Sequence, residues 1–334
     1  MKKKYIIAGI GAVLLAAVCA GCGSREKTTA EEDRLQIVCT IFPQYDWTRE
    51  LLGDRLEDVE LTLLMKDGAD LHSYQPTVWD MAKIADADLF LYVGGESDFW
   101  IEDVLANMGQ THMRTLNLME ILEEDVYEEE HMEGMQEPRG HDHEEEGQEL
   151  PEYDEHVWLS LRNAQKVCTA VTEALCELDE EYSSVYRQNL EDYGKELQAL
   201  DAAYEQTVEQ ASGHVLLFGD RFPFRYLVED YGLRYYAAFA GCSAETEASF
   251  ETITFLAGKA DELGIPVVLA IDGSDGRIAE TIAGNTKTRD QQVLILDSMQ
   301  SVTGEEIEQG ENYLSVMEEN LLVLEAALAG KERQ

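Results

Sequence analysis

Two histidines and two aspartates stand where they could hold a metal ion. His72 lies in the loop GADLHSYQPT, just after the apolar run VELTLLM, and His156 lies in EHVWLS, between an acidic stretch and an amphipathic run. Asp220 closes HVLLFGD and Asp297 closes VLILD. Two imidazoles and two carboxylates brought from four loops to one cleft make a four-coordinate nitrogen/oxygen site of the kind Zn²⁺ and Mn²⁺ accept. Each residue alone also fits an ordinary structural role, since an Asp at a strand end often caps the next helix. The motifs of other chemistries are absent: there is no G-x-S-x-G elbow, no G-x-x-x-x-G-K-[ST] phosphate loop, no G-x-G-x-x-G and no H-E-x-x-H. No catalytic residue and no organic cofactor site is assigned.

The elements that must position these four residues read as alternating strands and helices. LQIVCTIF, VELTLLM (59–65) and DLFLYVGG (88–95) are short apolar runs rich in β-branched or aromatic residues, and YDWTRELLGD, TVWDMAKIADA (77–87) and FWIEDVLANMG carry helical spacing. The same alternation returns with HVLLFGD (214–220), LRYYAAFA, PVVLAID and QVLILD (292–297), ending in the helix NYLSVMEENLLVLEAAL. Between them, residues 158–212 are helical throughout, with one long helix over 180–210. The pattern predicts an α/β protein of two parallel-sheet lobes, 35–160 and 213–334, joined by a helical linker (161–212) whose long helix is a rigid strut. The metal site then falls in the inter-lobe cleft, where the carboxyl ends of strands gather. Residues 123–155 break the rhythm with 16 acidic residues and three histidines, His131, His141 and His143. They read as a solvated loop offering at most weak cation capture.

The 334 residues carry 25 Lys+Arg against 68 Asp+Glu, a formal net charge of −43, which excludes nucleic acid as a partner and suits cations. Lys2, Lys3 and Lys4, an apolar run to Val18 and the small pair Ala20-Gly21 before Cys22 form a secretory leader (1–21). The Ala-Gly-Cys order predicts cleavage before Cys22 and a lipid on it, with 22–34 as a polar tether, so the chain is placed outside the cytoplasm on a membrane anchor. Cys39, Cys168, Cys176 and Cys242 form no C-x-x-C pair and read as small buried hydrophobes.

The run LLMKDGADLHSYQPTVWDMAKIADADLFLYVGG resembles the first-lobe signature of the zinc/manganese solute-binding lipoproteins of ABC importers, the cluster A-I family, in which a P-G-x-D-P-H-x-[YF]-x-P-T segment presents the first ligand. That resemblance implies His72 as first ligand. EHVWLSLRNA is similar to D-x-H-V-W-L-D-P-x-N-A, which makes His156 the second, with Ser160-Leu161 in place of Asp-Pro. LILDSMQ resembles L-D-P-[LI], which makes Asp297 the fourth. The third ligand, His or Glu in the family, precedes an F-x-Y-[FL]-x-x-x-Y-G-[LV] segment matched by Phe224, Tyr226, Leu227, Tyr231 and Gly232. An ungapped match puts Arg221 there, and a guanidinium never frees a lone pair for a metal. Asp220 is the expected substitute, with Glu245, Glu247 and Asp272 as alternatives. The resemblance implies a monomeric, non-enzymatic receptor that delivers Zn²⁺ to an ABC permease. The alternatives are a Mn²⁺ or Fe²⁺ receptor, a metal-dependent hydrolase, or a surface protein for cell adhesion.

Overall fold

A computed structural model describes residues 34–108, 112–136, 152–243 and 247–330. The leader, Cys22, His141, His143 and Glu245 lie outside the described residues. By its contacts the chain divides into a unit of residues 1–35 and a larger unit of residues 36–334, and everything that follows concerns the larger one.

The first lobe runs β1 (Leu35–Cys39), α1 (Phe42–Leu52), β2 (Val59–Leu63), α2 (Val78–Ala85), β3 (Leu89–Tyr92), α3 (Phe99–Met108), β4 (Arg114–Asn117) and the short α4 (Leu118–Ile121). Two helices follow, α5 (Leu161–Leu178) and α6 (Ser183–Gln210). The second lobe runs β5 (Val215–Phe222), α7 (Arg225–Tyr231), β6 (Arg234–Ala240), α8 (Phe250–Leu263), β7 (Val267–Ile271), α9 (Arg277–Asn285), β8 (Gln292–Leu296), α10 (Gly304–Glu308) and α11 (Tyr313–Leu328). The sheets are ordered β2-β1-β3-β4 and β6-β5-β7-β8, so the two lobes share one topology although no sequence repeat marks it. Parallel registers set Ile37 opposite Leu89 in the first sheet and Leu269 opposite Leu294 in the second.

Strands covered by helices on both faces must be apolar on both faces. All five residues of β7 are buried accordingly. Val38, Leu64, Ile84, Phe90 and Ile101 form the core of the first lobe, and Leu217, Phe239, Leu256, Val268 and Ile282 that of the second. Helix starts follow the side chains that cap them. Thr77 and Asp80 make a capping box on α2, Ser160 caps α5 and Ser249 caps α8.

Helix α6 has 28 residues and spans about 42 Å. The expected first turn, Glu180–Tyr182, is a 3₁₀ turn. The helix is braced rather than free: Asn189 donates to the Leu51 carbonyl of the first lobe and the Tyr204 hydroxyl donates to the Met317 carbonyl of the second.

Three further departures from the expected layout reach the site. Strand β4, RTLN, has too little apolar character to be read as a strand and sits at a sheet edge. Strand β5 continues past Asp220 to Phe222, with a register slip between Phe218 and Arg221. Asp220 therefore sits in a bulge inside the strand and not at its end. Gly219 belongs to that bulge, and a Cβ there would meet the Ala279 Cα of α9 at 2.4 Å. The third departure is the acidic stretch, whose described first arm is docked on the second lobe. The Gln136 N–H donates to the Ala238 carbonyl on edge strand β6, and Gln136 Oε1 accepts the Ser249 N–H. Glu130 pairs with Arg225, and Glu128 bridges Tyr153 in antiparallel fashion. Polar residues that pair with an exposed strand edge leave no apolar period to read.

The lobes also meet at Asp46 of α1, which is 1% exposed. It pairs with Arg49 and accepts the N–H of Tyr313 at the start of α11 (2.8 Å). Burial outweighs these partners and raises its pKa from 3.8 to about 6. The folded chain thus keeps this proton to a higher pH than the unfolded chain, so stability falls as pH rises from 3.8 to about 6. In urea unfolding at pH values below and above that window, Asp46→Asn is expected to gain stability relative to the parent as pH rises.

Candidate metal centre

His72 sits on the 3₁₀ turn Leu71–Ser73 that follows β2. Asp70 caps the turn, its Oδ1 accepting the His72 N–H at 2.9 Å. His72 Nδ1 lies 2.8 Å from Ser97 Oγ and 3.6 Å from Glu155 Oε2. His156 is fully buried and leads into the 3₁₀ turn Val157–Leu159. Asp154 Oδ1 lies 2.9 Å from both the backbone nitrogen and Nδ1 of His156. A carboxylate on Nδ1 keeps the proton there and leaves Nε2 with a lone pair. Ser160, where the family pattern has Asp, still caps α5 by accepting the Asn163 N–H at 3.0 Å, so the segment holding His156 keeps its anchor.

The two Nε2 atoms face each other at 3.2 Å. Two zinc–nitrogen bonds of about 2.0–2.1 Å at a tetrahedral angle set their nitrogens about 3.3 Å apart, close to the separation of this pair. A third donor completes a tight cluster: ligand atoms of His72, His156 and Cys242 all lie within 4.8 Å of one another. Cys39, Cys168 and Cys176 are buried, as expected, but Cys242 is half-buried beside the histidines, which corrects its reading as a core residue. Gly241 permits the approach, because a Cβ there would lie 3.3 Å from His156 Cε1 and 2.8 Å from the Phe222 carbonyl.

Among the described residues, neither Asp220 nor Asp297 falls in this cluster. Asp220 shares a cleft with His72, but its Oδ1 accepts the Arg221 N–H at 2.9 Å and its Oδ2 accepts the Ser274 hydroxyl. The Arg221 guanidinium turns instead to Asp70 Oδ2, at 2.6 Å, across the cleft. Asp297 Oδ1 accepts the Met299 N–H at 2.7 Å. Burial and the neighbouring Asp272 raise its pKa. Asp272 is engaged by Ser298 and Ser301. Glu247 and His131 are exposed and apart from the cluster.

Burial and the facing His156 hold His72 well below the ordinary imidazole range, so it is neutral and able to donate to a metal. Burial works against a charge on His156 too, yet Asp154 prevails and raises its pKa. Burial, then Asp154, Glu129 and Glu155, push the Cys242 thiol up. Glu96, Glu129, Glu152 and Glu155 line a vestibule beside His72 and Cys242. Within it, Glu155 Oε2 is buried with no hydrogen-bond partner. An unpartnered carboxylate oxygen beside two facing imidazole nitrogens suits a cation.

Comparison with known proteins agrees with this chemistry. A family model described as ZnuA, zinc-uptake complex component A, periplasmic, matches residues 37–327. The chain is 29% identical over 319 residues to the high-affinity zinc uptake system protein ZnuA of Bacillus subtilis, covering 95% of each. It is 30% identical over 319 residues to the zinc-binding lipoprotein AdcA of Streptococcus pneumoniae, where 93% of this chain spans 60% of that protein. Among solved structures it resembles the Zn(II)-bound ZnuA-like domain of S. pneumoniae AdcA, with 27% identity and a TM-score of 0.69, covering 89% of this chain and 99% of that one.

Proposed function

The chain belongs to the ZnuA family of periplasmic components of zinc-uptake complexes, and from that premise we propose that it captures Zn²⁺ outside the cytoplasm and delivers it to the permease of an ABC importer. The 3.2 Å approach of His72 Nε2 to His156 Nε2 carries this reading. Zn²⁺ is cargo here and no chemical step is assigned to the protein. His72 and His156 are the fixed donors, Asp154 orients His156, and the glutamate-lined vestibule draws the cation in. Asp297 is the carboxylate proposed to face the ion from the cleft, with Asp220 as the carboxylate candidate for the remaining position, and each must first release its present partner, the Met299 amide or Ser274. A lipid on Cys22 is proposed to hold the chain to the membrane. No helix among the described residues is long and apolar enough to cross it. The names of the zinc-binding relatives support Zn²⁺ as the ion.

Competitive titration of the metal-stripped chain with Zn²⁺ and Mn²⁺ tests this. One Zn²⁺ per chain bound in the nanomolar range, and more tightly than Mn²⁺, is the expected outcome. Binding of both ions no tighter than micromolar overturns the reading.

A further inference from the structure

We propose that Cys242, in place of Asp220, is the third protein ligand of the zinc site, so that this chain binds its ion through two imidazoles and a thiolate, with Asp297 as the remaining donor. The inference rests on the zinc-capture reading and deepens it. The position where the family usually presents its third ligand is held by Arg221, whose guanidinium is committed to Asp70. Asp220, the neighbouring carboxylate, is turned to Ser274 and to the Arg221 amide. Cys242 already stands with His72 and His156 in one cluster.

Three features hold it there. The Cys242 N–H donates to Glu129 Oε1 at 2.9 Å, so the docked acidic arm fixes the loop from above. Gly241 lets the end of β6 close on the His156 ring, where a side chain would collide with the Phe222 carbonyl. Asp154 faces the same spot, 3.2 Å from where a Gly241 Cβ would be, while orienting the imidazole. Binding forms a zinc–sulfur bond and breaks the S–H bond, and the proton leaves to solvent with no redox change. A thiolate is a soft donor that favours Zn²⁺ over Mn²⁺, so Cys242 sets selectivity as well as affinity.

The test uses the full chain in detergent, stripped of metal and loaded with Co²⁺ or Zn²⁺, beside Cys242→Ser, Cys242→His and His72→Ala. Co²⁺ is expected to give a sulfur-to-cobalt charge-transfer band in the near ultraviolet that both Cys242 variants lose. Zn²⁺ affinity is expected to fall in Cys242→Ser by more than the roughly 10–100-fold typical of losing an outer-shell partner. Mn²⁺ affinity changes little, and Cys242→His recovers Zn²⁺ binding without the band. Absence of the band in the parent, or unchanged Zn²⁺ affinity in Cys242→Ser while His72→Ala abolishes binding, overturns the thiolate and leaves the histidine pair standing. Zn²⁺ binding indifferent to His72→Ala overturns the capture site itself.

Discussion

Replacing His156 with alanine is expected to weaken Zn²⁺ binding by roughly 100- to 1,000-fold, the share of one ligand in the roughly 10–16 kcal/mol that a four-ligand zinc site supplies. His156 is fully buried, so no water-exposed side chain can take its place. Asp154→Ala spares the imidazole but removes the group that fixes its tautomer, with an expected loss of about 10–100-fold. The two variants also differ in pH response. Asp154 raises the His156 pKa above 6.5 against the effect of burial, so protons compete with the metal and affinity declines as pH falls through that titration. Without Asp154, burial is opposed only by Glu155 and Asp70, and the decline moves to lower pH. Chelator competition across a pH series reads both effects. Equal affinity in His156→Ala and the parent would remove this imidazole from the site.

The second large effect falls on stability. Trp158 is 1% exposed, and its ring lies 5.2 Å from that of His156. Its Nε1–H donates to the Ser298 carbonyl of the second lobe at 2.9 Å, and its own carbonyl accepts the Tyr313 hydroxyl at 2.7 Å. Trp158→Ala is expected to cost about 3–5 kcal/mol in equilibrium unfolding, because it empties a volume that neighbours from both lobes enclose. Trp158→Phe fills most of that volume but leaves the Ser298 carbonyl without its donor, at about 1–3 kcal/mol. Zn²⁺ binding should survive in the Phe variant, since a ring still backs His156. A Trp158→Ala protein as stable as the parent would show that the lobes hold together without this contact.

The alternating apolar runs made the two sheets readable, because strands buried on both faces carry their signal in every residue, as VVLAI does in β7. Strand β4 was not readable, since RTLN owes its place to pairing with β3 and not to its side chains. His72 and His156 were legible through the segments around them, and the structure brings them together. Cys242 was not, for 86 positions separate it from His156 and only folding sets the end of β6 against the His156 loop. The one local sign was a Gly-Cys pair where β6 runs out, at the carboxyl end of a parallel strand. The reading of Asp220 as the end of its strand failed for a definite reason: a bulge costs one residue of register, and composition does not announce it. The acidic arm misled for the opposite reason, since its charged composition says solvent while its glutamates serve as acceptors for Cys242 and Arg225.

The Arg221–Asp70 pair gives the molecule a fixed counter-ion of its own. A cleft walled by carboxylates alone would be pushed apart by its own charge whenever no cation sat in it. Here the Arg221 guanidinium spans the two walls, and Asp70 in turn holds the turn that carries His72. The cleft is thereby spared an electrostatic spring, and the turn that carries His72 is tied through Asp70 to the second lobe.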